Sequence, residues 1–361
     1  MATTPVPAEA SGRTVVAVPA RRLGRAGWLV VAGVATLVIV LAGGIVLGSA
    51  DLAPSTTLAI LAHRLLGVGV PVTWPATSEA IVIDLRLPRV LTAMVVGAGL
   101  AVAGATFQGL LRNPLADPYV LGTASGAALG AAIAVLIPVR ATILQFGLLH
   151  GLAFIGALLS VTAVYKLSRT SPLAPLTSLL LTGYAVGSLL AAGLAMAMYL
   201  SGTGLREIFA YLLGGFDGTS WTRLAVATPL IIGGSLLIMA RARQLNGFLL
   251  GEESAAHLGV DVRRERALLL ALASLVTAAG VAVAGLIGFV GLVIPHLVRL
   301  IVGPNARLVL PISMLFGASL LAMADVVARM LGGVPVGVVT AVIGAPFFLA
   351  LLRRARTGYE L

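Results

Sequence analysis

Ten apolar runs follow one another through this 361-residue chain, at residues 28–49, 87–108, 119–137, 146–168, 176–200, 221–241, 267–285, 286–302, 307–330 and 335–352. Roughly 20 apolar residues of helix cross a hydrocarbon layer ~30 Å thick, and most of the runs are close to that length. Composition agrees: 59% of the residues are hydrophobic and 10% are charged, against about a quarter charged in a soluble domain. The solvent for such a surface is lipid. Residues 267–302 read as one run, far longer than a bilayer is thick at ~1.5 Å per residue. The chain must turn back within it, and Gly285, Gly288 and Gly291 offer the place where a tight reversal costs least. The expected fold is an all-α integral membrane protein of about ten transmembrane helices.

The formal net charge is +11. The basic residues lie in short loops between apolar runs, not along one face, which excludes a nucleic-acid surface. Lys166 is the only lysine. No Gly-x-x-x-x-Gly-Lys-Ser/Thr phosphate loop therefore exists at a useful place, and any ATP that drives the protein binds another chain. Cysteine is absent, so disulfides and thiolate metal sites are excluded, and no cofactor is implied. Residues 1–27 form a polar, Pro-rich tail that is expected to be disordered. The run that follows is too long for a signal-peptide core. Basic residues gather on the side of that tail: Arg112, Lys166, Arg169, Arg241, Arg243, Arg263, Arg264, Arg266, Arg299, Arg307, Arg353, Arg354 and Arg356. Positive charge marks the cytoplasmic side. Both termini, including residues 355–361, are thus expected inside a bacterial or archaeal cytoplasmic membrane, with the permease body at 28–354.

Two outer segments carry polar character. Residues 50–86 contain Pro54, Pro71 and Pro75 and predict a short interfacial helix around Ser55–Leu66. Residues 201–220 hold a polar stretch from Arg206 to Asp217. An internal repeat is also visible. Gly99–Gly104 reads Gly-Leu-Ala-Val-Ala-Gly and Gly280–Gly285 reads Gly-Val-Ala-Val-Ala-Gly, while Pro114 matches Pro295 and Gly122 matches Gly303 at the same offset. The second and seventh runs are then equivalent and lie an odd number of spans apart, which makes the repeat inverted, as in many transporters. Two similar small-residue helices are the alternative.

Three motifs carry a resemblance: Asn113-Pro114-Leu115-Ala116-Asp117-Pro118 after the second run, Gly288-Phe289-Val290-Gly291-Leu292-Val293-Ile294-Pro295-His296 in the eighth, and Pro335-Val336-Gly337-Val338-Val339-Thr340-Ala341 leading to Gly344-Ala345-Pro346 in the last. In order and spacing, from about Ile83 to Arg354, the chain resembles the FecCD-type permeases of iron-siderophore, haem and cobalamin ABC importers. The resemblance implies the type II importer permease fold. It implies two permeases, identical or paralogous, around one pathway. Two copies of a P-loop ATPase subunit would bind inside, and a secreted or periplasmic substrate-binding protein would dock outside.

The longest inner loop, 245–266, holds Gly251, Glu252, Glu253, Ala255, Leu258 and Gly259. Glu252 and Glu253 favour a helix N-terminus and Gly259 can end the helix, with Ala255 and Leu258 as its apolar face. The family uses this loop to couple to the ATPase; a solvated loop helix is the alternative. Arg86, Arg89 and Arg329 lie at outer span ends, against the positive-inside rule. In the cobalamin branch of the family, matching arginines receive acidic residues of the binding protein. Helix-end arginines that snorkel to the interface are the bland reading. Asp325 stands inside the ninth run, either as a functional carboxylate or as the i, i+4 partner of Arg329. Leu176 and Thr177 occupy the family's inner gate positions, although helix packing explains the neighbouring glycines equally well.

Two functions compete. One is the permease subunit of an ATP-driven importer for a bulky iron chelate, haem or cobalamin, with no catalytic residues of its own. The other is a proton-coupled secondary transporter that uses Asp325 and His296. Buried ionisable groups are scarce, which disfavours a proton relay.

Overall fold

The computed structural model describes residues 20–357 apart from 49, 51, 120, 138–141, 144–145 and 169–174. Most of residues 1–27, and residues 358–361 of the expected C-terminal tail, lie outside that description. The helices are α1 (Ala20–Val46), α2 (Pro54–Leu66), α3 (Ala76–Ala80), α4 (Leu87–Leu110), α5 (Thr123–Leu136), α6 (Leu148–Ser168), α7 (Pro175–Leu200), α8 (Leu205–Leu213), α9 (Trp221–Ala240), α10 (Ala242–Leu249), α11 (Glu252–His257), α12 (Val262–Ala284), α13 (Val290–Val302), α14 (Ala306–Met330) and α15 (Val336–Thr357). A π-helical turn at Ile81–Arg86 joins α3 to α4, and residues Thr142–Ile143 and Phe146–Gly147 form a two-residue antiparallel pair.

Among the described residues, seven helices are long and apolar enough to cross a membrane, and three shorter apolar helices, α5, α13 and the 336–350 part of α15, lie at the other three expected runs. The interfacial helix appears as α2. α1 starts at Ala20, inside the segment expected to be a tail, and α15 runs to Thr357, past 354.

The 267–302 run does divide into two helices. α12 stops at Ala284 and α13 starts at Val290, with left-handed backbone at Gly285 (φ 69°) and Phe289 (φ 70°). Gly291 packs on Leu100 and Gly104, deep along α4. At 13 residues, α13 is only ~20 Å long and cannot cross a bilayer by itself. A break inside a helical body exposes N–H and C=O groups where there is no water to bind them. Two tyrosines take over. The Tyr119 hydroxyl accepts from the Ile287 N–H (3.2 Å) and donates to the Ile287 carbonyl (2.9 Å). Tyr211 donates to the Val281 carbonyl (2.9 Å), and its own carbonyl accepts from the Leu286 N–H (3.3 Å).

The repeat is partly visible in the backbone. Gly122 and Gly303 both adopt positive φ, 74° and 84°. Its halves diverge around the break: Gly104 lies within a continuous α4, whereas its match Gly285 ends α12.

α4 is the axis of the body. It is buried on nearly every side, against α14, α12, α13 and α9. A helix this enclosed can approach its neighbours only where side chains are missing. A Cβ on Gly97 would meet the Gly317 carbonyl of α14, and a Cβ on Gly104 would overlap the Gly291 carbonyl of α13. Gly104→Leu should therefore cost about 3 kcal/mol or more and lower the unfolding temperature of the detergent-solubilised chain. Gly151→Ala in α6, with open space around it, should be neutral or stabilising by up to ~1 kcal/mol. Equal effects of the two substitutions would disprove the close-approach account.

Candidate functional site

The polar groups of the body collect at its two ends. At one end α1 terminates and leaves its last carbonyls without helical partners. Two arginines from other elements bind them. Arg86, at the end of the π-helical turn, donates Nη1 to the Ile45 and Val46 carbonyls (2.9 and 2.8 Å) and Nη2 to the Ala50 carbonyl (2.6 Å). Arg329, in the last turn of α14, donates to the carbonyls of Leu47 and Gly44, both at 2.9 Å. Cations suit the negative end of a helix dipole. Both arginines are buried.

Arg89, one turn into α4, behaves differently. Its Nε and Nη2 reach Asp325 Oδ1 at 2.9 Å, and its Nη1 donates to Asp217 Oδ1 at 2.6 Å. Asp325 is wholly enclosed and also faces Arg329 Nε at 3.1 Å as the i, i+4 pair. Asp217, on the loop between α8 and α9, has a side chain that is 86% exposed. Arg86, Arg89 and Arg329 thus come together, but they do not form one outward surface: Arg89 alone of the three carries a donor to an exposed carboxylate. The sequence listed Asp217 only as the end of a polar stretch. Nothing in a one-dimensional reading pairs it with a residue 128 positions away.

At the other end, the expected loop 245–266 carries not one short helix but two, the end of α10 (Ala242–Leu249) and α11 (Glu252–His257), which form an elbow before α12 starts at Val262. Glu252 and Glu253 do occupy the first turn of α11, and Glu252 pairs with Arg266. The helix stops at a Schellman turn: Gly259 N–H donates to Ala256 (2.9 Å) and Val260 N–H to Ala255 (3.1 Å), with Gly259 at φ 81°. Ala255 is fully buried against Gly247 of α10, so it is not part of an outward apolar face. The exposed apolar pair is Leu250 and Leu258. They flank a cleft of about 550 Å³ that Arg243, Asp261 and Arg264 also line. Asn246 ties the elbow to α14, donating to Asn305 Oδ1 (2.9 Å) and accepting from the Ala306 N–H (2.7 Å).

The first motif is a pair of side-chain-capped turns. Asn113 Oδ1 accepts from Leu115 N–H (2.9 Å) and Asp117 Oδ1 from Tyr119 N–H (2.8 Å). Burial pushes the Asp117 carboxyl up to about 6, against the Tyr119 hydrogen bond, which favours the ionised form. Pro118 then packs on Gly291, so the motif of the first half braces the break in the second. Arg299 of α13 bonds Gln108 and the Ala105 carbonyl (2.8 Å) of α4. Asp325 is locked between arginines, and the His296 ring packs edge-on against Phe347 of α15. Thr177 is exposed in the first turn of α7, and the side chain of Leu176 lies outside the description. An apolar cleft of about 660 Å³ opens between α8, the α12–α13 break and α15, lined by Leu212, Leu213, Leu286, Gly337, Val338 and Ala341 among others.

These features agree with what the chain is similar to. It is 45% identical over 301 residues to the cobalamin import system permease protein BtuC of Halobacterium salinarum, covering 83% of this chain and 79% of that one. It is 43% identical over 279 residues to the hemin transport system permease protein HmuU of Yersinia pestis, covering 76% and 83%. A solved inward-facing conformation of a metal-chelate type ABC transporter superposes with a TM-score of 0.71 at 32% identity, over 83% of this chain and 98% of the other. The model of the FecCD transport family matches residues 35–354. The chain belongs to the FecCD transport family and is a membrane-spanning permease of the ABC-importer kind.

Proposed function

We propose that this permease carries a bulky chelate, a ferric siderophore, haem or cobalamin, across the cytoplasmic membrane, and that two copies of a separate ATPase subunit drive it. The observation that carries the reading is the α10–α11 elbow: a chain without a nucleotide loop presents two exposed leucines, Leu250 and Leu258, beside a cleft at one end of its body. Glu252 and Glu253 start the helix that Gly251 precedes and Gly259 ends, and Ala255 anchors it inward, which leaves the leucines to press on a partner. Asn246 and Asn305 relay movement of the elbow to α14.

A binding protein delivers the chelate at the opposite end, where Arg89 is presented over the frame made by Arg86, Arg329 and Asp325. That end is the outer face, and both termini are cytoplasmic. Two permeases, identical or paralogous, enclose the pathway. Exposed side chains along α7, such as Tyr184, Leu189 and Tyr199, face the second copy or lipid, and Leu176 and Thr177 stand at the inner gate. The names of the relatives support cobalamin or haem as cargo, and the binding protein sets the choice between them and a siderophore.

Two outcomes are expected in proteoliposomes. The permease alone should neither hydrolyse ATP nor concentrate cyanocobalamin or haem; uphill uptake without any ATPase would overturn the reading. Leu250→Asp with Leu258→Asp should leave the permease folded, since both side chains are exposed, yet weaken ATPase binding by tenfold or more, because burying each leucine is worth ~1.5–3 kcal/mol. An unchanged affinity in a co-purification titration would remove the elbow from the contact.

A further inference from the structure

Arg89 divides its donors between two carboxylates of opposite character. Asp325 is wholly enclosed, touches Arg329 as well as Arg89, and cannot leave without taking a carboxylate from both cations. Asp217 is bound by a single Arg89 Nη1 contact of 2.6 Å, with 86% of its side chain in solvent. An exposed ion pair of this kind is worth little and exchanges readily. The donors of Arg86 and Arg329 go to the carbonyls at the end of α1, so neither offers a second place for an anion. Without Asp217 the cluster of three arginines and Asp325 carries an excess of two positive charges, one facing outward.

We propose that Asp217 is a resident stand-in for an incoming carboxylate: it occupies the outward donor of Arg89 and yields it when an acidic side chain of the docking protein binds there. This rests on the docking role proposed for Arg89 and adds a competitor that sets docking strength. The displacement has a route inward. Asp217 belongs to the loop that starts at Gly214. There Gly215 N–H donates to the Ala284 carbonyl (2.8 Å), and the Gly214 carbonyl accepts from Gly337 N–H (3.4 Å). The loop is therefore stapled to the end of α12 and the start of α15, beside the apolar cleft that holds Leu213, Leu286 and Gly337. Release of Asp217 frees the rim of that cleft at the moment a partner arrives.

The test uses the assembled transporter in nanodiscs and its substrate-binding protein, with affinity measured at low and high salt. Asp217→Asn, a substitution of an exposed side chain, should tighten docking by ~2–5-fold at low salt, the size expected for one exposed ion pair, and the gain should shrink at high salt. In an Arg89→Gln background the same substitution should do nothing, a non-additivity that marks direct coupling. Asp217→Glu should restore the parent affinity. If Arg89→Gln weakens docking while Asp217→Asn leaves it unchanged or weakens it, the stand-in role is wrong and the docking role of Arg89 survives. If Arg89→Gln leaves docking unchanged, both are wrong.

Discussion

Close backbone approach around α4 is the constraint on which the rest of this structure depends. In lipid no hydrophobic force drives one apolar helix against another, so packing has to come from contact itself. α4 supplies it by removing side chains where neighbours cross: Gly97 meets Gly317 of α14, and Gly104 meets Gly291 of α13. The second contact fixes more than a pair of helices. It brings the first turn of α13 to the middle of the body. The chain then breaks between α12 and α13 inside the helical body, and Tyr119 and Tyr211 bind polar groups at the break.

The arginines show how one buried frame can leave one group available. Arg86 and Arg329 are consumed by the open carbonyls at the end of α1, and Asp325 balances the charge they bring into a dry site. Arg89 is held by the same Asp325 from behind. Its remaining donor points to where Asp217 sits in solvent. A rigid cationic donor at a span end suits recognition of carboxylates, because its position costs no further ordering when the partner arrives. The opposite end follows a different logic: α10 and α11 bury Ala255 between them and turn Leu250 and Leu258 outward. A polar tether through Asn246 and Asn305 connects that surface to α14, whose far end carries Asp325 and Arg329. One helix thus runs from the elbow to the arginine frame.

Much was legible in the residues. The ten apolar runs each correspond to a helix, because lipid leaves a long apolar segment no other way to satisfy its backbone. The division of 267–302 followed from length alone. Ser55–Leu66 became α2, and Gly259 ended α11 in the conformation that glycine adopts most cheaply. The motifs that carried the family resemblance were visible as words before their physical sense was: Asn113 and Asp117 cap turns, and Pro118 braces Gly291.

The sequence by itself determined the solvent, the apolar helices and the family, since these depend on local hydropathy and short motifs. Only the tertiary structure decided which polar side chains are free to act. Arg86, Arg89 and Arg329 look alike in one dimension, and their difference arises from where α1 happens to end and which carbonyls it leaves open. Ala255 and Leu258 are both apolar residues of one loop, yet α10 buries the first and leaves the second exposed. Asp217 meets Arg89 across 128 positions of chain. Such pairings are long-range contacts between ends of different helices, and no periodicity within a single segment encodes them.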